Sequence, residues 1–164
     1  MAVGPDALRE LLGRRAAAVA IVTARAGERV HGMTVTAYTE VSLDPPLVLV
    51  CADVASNTHP VIAAGGVFAL NLLSNGQAEL SNRFASKQDE DRRFEGLAWA
   101  TAATGAPILP DVLGALDCRV VAAHEAGDHV IYIGRVEALS SFPEREPLLY
   151  QRGTYGTFQV YPPA

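Results

Sequence analysis

The feature that most constrains the fold is a series of short apolar runs rich in β-branched residues, each bounded by turn residues. The runs include AVAIVTA, MTVTAYTEVSL, LVLVCA and VFALNLL, and two more flank the turn EAGDH. Runs of this kind predict strands paired as hairpins. PDALRELLGRR, ASNTHPVIAAGG and SNGQAELSNRFAS predict small helices. The pattern favours a mostly β, antiparallel barrel with a few flanking helices over a doubly wound parallel sheet.

The length and charge of the chain narrow its class. The 164 residues predict one domain, covering residues 1–164. A formal net charge of −5 argues against binding to nucleic acid or to an acidic membrane surface, because both need a basic face. No apolar run is long enough to span a membrane, so no membrane partner is expected.

The two cysteines, Cys51 and Cys118, each lie in an apolar stretch without a second cysteine nearby. This pattern predicts free thiols in a reducing cytoplasm. No CxxC or HxxxH spacing occurs among the cysteines and the four histidines, so no metal site is predicted.

One N-terminal segment has features of a signal for export from the cytoplasm. Arg14 and Arg15 precede AAAVAIVTARA, which resembles a twin-arginine export signal. However, Asp6 and Glu10 come before the arginines, and VAIVTA reads well as the first strand of a domain. A cytoplasmic location is therefore expected.

The common fingerprints of nucleotide and hydrolase sites are missing. The chain has no GxGxxG after a predicted strand, no GxxxxGK[ST] and no GxSxG. Composition and pattern alone therefore lead only to a soluble, mostly β domain, and the site must be sought among hydroxyls and glycine-flanked motifs.

Two polar groups are candidates for ligand binding, each with a simpler explanation. Thr34 and Thr36 share one face if their strand is regular, and could line a polar ligand. Ordinary β-propensity also explains them. Ser56, Asn57 and Thr58 precede a predicted helix, where hydroxyls and free N–H groups can bind an anion. Simple N-capping needs only one of these three.

Three later motifs have the same ambiguity. Arg83 in SNRF could give a phosphate a planar bidentate partner, or be a solvated surface arginine. His129 follows a Gly-Asp turn, where a hydrogen bond to Asp128 alone could explain its presence. The motif LLYQRGTYG, with Tyr150, Arg152, Gly153 and Tyr155, could be a C-terminal strand with core aromatics.

Taken together and in order, these motifs resemble a known family. HGMTVTAYTEVSLDPPLVLVC, SNTHPVI, FALNLLS, LSNRFA, GAPIL, CRVVAAHEAGDHVIYIGRV and PLLYQRG closely resemble the short-chain flavin reductases. These are small reductases that supply reduced flavin to a separate monooxygenase. The resemblance extends from about residue 8 to about residue 157.

The resemblance implies a Greek-key split β-barrel that works as a homodimer, with flavin near the subunit interface. It implies NAD(P)H-dependent reduction of FMN or FAD, by hydride transfer from the nicotinamide C4 to the flavin N5. Many relatives have serines at Thr34, Thr36 and Ala37, so the choice between FMN and FAD stays open. The choice between NADH and NADPH stays open as well.

The resemblance also assigns residues to the two nucleotides. The flavin-binding residues that it implies are Met33, Thr34, Val35, Thr36, Cys51, Ala52, Asp53, Ser56, Asn57, Thr58, Asn82, Arg83 and Phe84. The residues that it implies for the nicotinamide nucleotide are His129, Tyr150, Arg152 and Gly153. No side chain is expected to act as a general acid or base, because the cofactors carry the chemistry.

Two alternative functions stay open. The first is a flavin-binding carrier or sensor on the same barrel, without rapid NAD(P)H turnover. The second is a structural or assembly subunit with a vestigial pocket. The nicotinamide assignments favour the enzyme, because a protein that only binds flavin needs no nicotinamide side.

Overall fold

The structure is a computed structural model that describes residues 3–161. Antiparallel strands are the main secondary structure of this part of the chain, and three α-helices occur among the described residues. The helices are α1 (Pro5–Gly13), α2 (His59–Gly65) and α3 (Ala78–Ala85). The strands are β1 (Ala17–Ala18), β2 (Ala20–Ala26), β3 (Arg29–Val35), β4 (Tyr38–Leu43), β5 (Pro46–Asp53), β6 (Val67–Leu72), β7 (Ala100–Thr101), β8 (Pro107–Ile108), β9 (Gly114–Ala126), β10 (His129–Ser141), β11 (Leu149–Gln151) and β12 (Thr154–Gly156).

The main sheet has seven strands in the order β3-β2-β6-β9-β10-β5-β4. Its edge strands, β3 and β4, are separated in the chain only by Thr36 and Ala37. Such a connection spans at most about 11 Å, whereas a flat seven-stranded sheet would hold its edges about 29 Å apart. The sheet must therefore curl until its edges approach, which gives a barrel left open between β3 and β4. The predicted mostly β split barrel is confirmed.

The prediction of one continuous strand over MTVTAYTEVSL is wrong. The chain leaves the sheet at Thr36 and Ala37 and re-enters it at Tyr38 on the opposite edge. The backbone N–H of Cys51 donates to the carbonyl of Ala37 at 2.9 Å, which fixes this crossing against β5. Local propensity does not reveal the break, because both halves have strand-forming residues and the break results from barrel closure.

Two apolar cores lie on opposite faces of β2. Alternate residues Ala20, Val22 and Ala24 face the barrel interior, while Ile21 packs into a second cluster under α3. The segment that resembles an export signal is thus a strand buried on both faces. The unbroken apolar run LVLVCA is typical of a strand buried on both faces. β5 instead alternates between buried and half-buried residues because it lies near the edge of the sheet.

A close approach of backbones places α3 against the end of β3. A Cβ atom added to Gly32 would lie 2.9 Å from the carbonyl oxygen of Val22 and 3.0 Å from the Phe84 ring. Glycine therefore lets β3 pass directly under α3. This contact brings the polar end of β3 to the same place as the polar face of α3.

The helices also bear on the predictions about membranes. The predicted helix in PDALRELLGRR is α1, and none of its residues is buried. Among residues 3–161 no helix has both the length and the apolar character required to cross a bilayer.

Candidate functional site

A cleft opens where the end of β3, the helix α3 and the hairpin β11–β12 meet. Its volume is about 280 Å³. The residues that line it carry no charged side chain, and most of its polar groups are hydroxyls. They are Val19, Thr34, Val35, Thr36, Ser81, Asn82, Ala85, Tyr150, Gly153 and Tyr155. A cleft of this chemistry suits a neutral, polar ring system with hydroxyl or carbonyl groups.

Side-chain hydrogen bonds tie the three walls of this cleft together. Thr34 Oγ1 on β3 donates to the backbone carbonyl of Ser81 at 2.6 Å. The Tyr155 hydroxyl on β12 lies 2.8 Å from Ser81 Oγ and 2.8 Å from Asn82 Oδ1. Because the Thr34 proton is used inside the protein, its hydroxyl can only accept a hydrogen bond from a ligand.

The cleft unites residues that the resemblance assigned to different nucleotides. Thr34, Thr36 and Asn82 come from the flavin set, and Tyr150 and Gly153 come from the nicotinamide set. Both sets therefore border one space, the arrangement that hydride transfer between two stacked rings requires.

Of the other flavin residues of the resemblance, Val35 lines this cleft, but several others do not. Met33 packs into the barrel core. Phe84 is fully buried in the second core. The Arg83 guanidinium donates to the backbone carbonyls of Arg92 and Glu95, so it holds a loop in place. The contacts of Met33, Phe84 and Arg83 with flavin stay a prediction.

The segment Cys51–Asp53 forms the end of β5, and none of its three residues lines the cleft. Asp53 lies directly opposite His129 in the β5–β10 ladder, so a predicted nicotinamide residue neighbours a predicted flavin residue here as well. His129 Nδ1 lies 2.7 Å from Asp128 Oδ1. This hydrogen bond, together with the charge of the imidazole, lowers the pKa of Asp128.

The polar side chains of Ser56–Thr58 all have partners within the protein. Ser56 Oγ accepts from the His59 backbone N–H at 3.2 Å, and Asn57 Nδ2 donates to Glu90 Oε2 at 3.2 Å. Thr58 is fully buried, and its Oγ1 lies 2.8 Å from His31 Nδ1. The anion site proposed for this segment stays a prediction.

Arg152 does not join the cleft. It occupies the turn between β11 and β12 with φ of 49°. Its backbone N–H donates to the carbonyl of Gly13, and it borders a separate pocket with Arg9 and Arg14. The nicotinamide assignment of Arg152 therefore stays a prediction, and only its neighbour Gly153 reaches the cleft.

A buried polar cluster behind the cleft was not found from the sequence. Arg93 is 4% exposed, donates to the carbonyl of Gly32 at 2.7 Å and to that of Ser86, and lies 3.5 Å from Glu90. Burial lowers the pKa of His31, and the charge of Arg93 lowers it further. The cluster fixes the segment after α3 against β3. The mixed-charge sequence KQDEDRRFEG is typical of a solvated loop, and nothing in it distinguishes Arg93 from Arg92.

Two cleft residues, Ser81 and Tyr155, were not predicted from the sequence to belong to the site. Tyr155 was noted only as a core aromatic. A hairpin with a turn at Arg152–Gly153 places Tyr155 opposite Tyr150, and the two rings lie 5.2 Å apart. That pairing was the available signal. Ser81 had no comparable signal, because its role depends on how α3 lies over β3.

The two cysteines are free thiols, as predicted. Cys118 is fully buried, and burial, aided by the charges of Asp117 and Glu137, raises its pKa to about 12. Cys51 is half-buried, and burial raises its pKa. Thiols whose pKa is raised are weak nucleophiles at neutral pH, so neither is suited to covalent chemistry.

Comparison with known proteins identifies the family. The family model for the flavin reductase like domain matches residues 12–159. The chain belongs to the flavin reductase family.

Three flavin reductase relatives illustrate the similarity. An FMN reductase (NADH) from Agrobacterium fabrum is 39% identical over 150 residues, covering 92% of this chain and 84% of the relative. The reductase subunit of a flavin-dependent monooxygenase from Mycobacterium tuberculosis is 34% identical over 155 residues, covering 93% of this chain and 82% of the relative. A structure of an NADH:FAD oxidoreductase from Streptomyces globisporus, in complex with NAD and FAD fragments, has a TM-score of 0.87 at 31% identity and covers 97% of both chains.

Proposed function

We propose that this flavin reductase transfers a hydride from NADH or NADPH to FMN or FAD. The observation that carries the proposal is the shared cleft, in which the residues expected to bind flavin face those expected to bind the nicotinamide nucleotide. Relatives described as an FMN reductase (NADH) and as an NADH:FAD oxidoreductase support the reaction but leave the flavin open.

The cleft residues fit the uncharged part of a flavin. Thr34 offers an acceptor, Asn82 offers an amide, and the aromatic rings of Tyr150 and Tyr155 offer an apolar surface. When both nucleotides are bound, they supply the hydride chemistry themselves. The task of the protein is to orient two rings at near-attack distance and to exclude water from between them.

We propose that the active form is a homodimer. The cleft of one chain, at about 280 Å³, is only at the lower end of the range of about 300–1,000 Å³ that is usual for pockets enclosing a small molecule. A flavin with its ribityl phosphate therefore needs further walls. The α1 residues Leu8, Leu11 and Leu12 are 50%, 65% and 54% exposed, and a second copy would cover them.

We also propose a separate monooxygenase as the partner and the cytoplasm as the location. Relatives that are reductase subunits of flavin-dependent monooxygenases support a separate monooxygenase as the acceptor of reduced flavin. The two free cysteines support a cytoplasmic location, because reducing compartments keep thiols unpaired.

The test is NADH consumption by the purified protein, followed at the nicotinamide absorbance band with and without added FMN or FAD. We expect multiple turnovers that require flavin. Tight flavin binding without turnover would refute the enzyme and favour the flavin carrier or sensor. Absence of flavin binding would favour the structural subunit.

A further inference from the structure

The Tyr155 hydroxyl connects the C-terminal hairpin to α3 at the edge of the cleft. It lies 2.8 Å from Ser81 Oγ and 2.8 Å from Asn82 Oδ1. We propose that Tyr155 is a positioning residue that fixes the Asn82 side chain so that its amide N–H₂ group faces the cleft as a donor to the flavin. This inference rests on the proposed flavin site and adds to it a residue that acts through another.

The proton count determines the direction of these hydrogen bonds. A phenol has one proton, so Tyr155 can donate fully to only one of its two partners. The Ser81 hydroxyl can rotate and donate to the phenol oxygen, whereas Asn82 Oδ1 can only accept. If Tyr155 donated to Ser81 instead, two oxygens without a proton between them would face each other at 2.8 Å. The consistent chain therefore runs from Ser81 to Tyr155 and on to Asn82 Oδ1.

This arrangement leaves the other half of the amide for a ligand. With Oδ1 held by Tyr155, the Nδ2 group of Asn82 points away from the phenol. Asn82 is exposed and lines the cleft, and within residues 3–161 no group accepts a hydrogen bond from its Nδ2. A donor of this kind matches the carbonyl oxygens and unprotonated ring nitrogens of a flavin.

Tyr155 also supports the opposite wall of the cleft. Its ring lies 5.2 Å from the Tyr150 ring at an angle of 59°. Replacing Tyr155 by phenylalanine keeps this ring contact and removes only the hydroxyl. The variant Tyr155→Phe therefore separates the positioning of Asn82 from the packing of the hairpin.

The experiment is a double-mutant cycle on flavin binding. Apoprotein variants Tyr155→Phe, Asn82→Ala and the double variant are titrated with FMN and with FAD by fluorescence quenching, and the shift of the bound flavin absorption band is recorded. Tyr161, which is 91% exposed, provides the control variant Tyr161→Phe. We expect Tyr155→Phe to weaken flavin binding by about 2- to 12-fold, the loss of one oriented hydrogen bond. It should weaken binding no further when Asn82 is already alanine.

Three results would overturn the proposal. They are unchanged flavin affinity in Tyr155→Phe, additive losses in the double variant, and an equal loss in Tyr161→Phe. The criterion is the non-additivity of the losses in flavin affinity, which a change in stability alone would not produce. A wild-type protein that bound no flavin would instead refute the proposed function.

The variant Asn82→Asp tests the orientation of the amide. In the proposed orientation, aspartate keeps the bond from Tyr155 but presents an oxygen instead of a donor to the cleft, so flavin binding should fall by at least as much as in Asn82→Ala. If Asn82→Asp binds flavin as well as the wild type does, the amide faces the other way and the proposal is wrong.

Discussion

Replacing Thr34 by valine tests the link between β3, α3 and the ligand. Valine has nearly the same shape, so the change removes only the hydroxyl that donates to the Ser81 carbonyl at 2.6 Å. One such bond contributes about 0.5–1.5 kcal/mol to the free energy of unfolding. For a chain of this size, each kcal/mol shifts the unfolding temperature by about 2–4 °C, so we expect a decrease of about 1–6 °C.

The same change should weaken flavin binding. Because the Thr34 proton is committed to Ser81, the hydroxyl presents only an acceptor to the cleft. Losing one acceptor that faces a flavin donor should raise the flavin Kd by about 2- to 12-fold. The assays are thermal unfolding of the apoprotein and fluorescence titration with flavin. The control is Thr34→Ser, which keeps the hydroxyl and should restore both quantities.

Two outcomes would refute this reasoning. A lower unfolding temperature with unchanged flavin affinity would show that Thr34 supports the fold without touching the ligand. Unchanged stability would show that the bond to Ser81 contributes nothing to the fold. The Thr34 hydroxyl would then not be limited to accepting hydrogen bonds.

Three further predictions concern the surroundings of the cleft. His129→Ala should raise the KM for NADH several-fold, the worth of about one hydrogen bond, and leave flavin affinity nearly unchanged; loss of flavin binding with an unchanged KM would place His129 in the flavin site. Burial and the charge of Arg93 lower the pKa of His31. The folded protein is therefore most stable, with respect to this group, above the unfolded pKa of about 6.5, where His31 is neutral in both states. This stability is lost as the pH falls from that value toward the folded pKa. The free energy of unfolding of the wild type should therefore decrease below pH 6.5 by up to about 1.4 kcal/mol per pH unit more than that of His31→Gln, and parallel pH curves would contradict the assignment. A variant with Cys51→Ser and Cys118→Ala should keep reductase activity, since both thiols have a raised pKa; a folded variant without activity would refute this.

Hairpins and short helices could be predicted because their signals are local. The turn at Gly127–Asp128 joins β9 and β10, as the EAGDH motif indicated. The break at Thr36 and Ala37 could not be predicted, because it depends on the closure of the whole sheet. Whether β5 would be buried on one face or both was likewise set by its position near the edge of the sheet.

The candidate site likewise has residues that could be predicted and residues that depend on the whole fold. Thr34, Thr36 and Asn82 were assigned through family resemblance, and the fold brings them to one cleft with Tyr150 and Gly153. Residues that act through others were missed because their partners are distant in the chain. Tyr155 contacts a helix more than 70 residues earlier, and Arg93 contacts the carbonyl of Gly32, 61 residues away. Burial of an arginine among charged neighbours has no local signature.

The most direct test of the account is a crystal structure of the protein with FMN or FAD bound. We expect the isoalloxazine ring in the cleft, in contact with Thr34, Asn82 and Tyr150 and with its other side closed by a second copy of the chain. A flavin bound elsewhere on the barrel, with this cleft unchanged, would contradict the central claim.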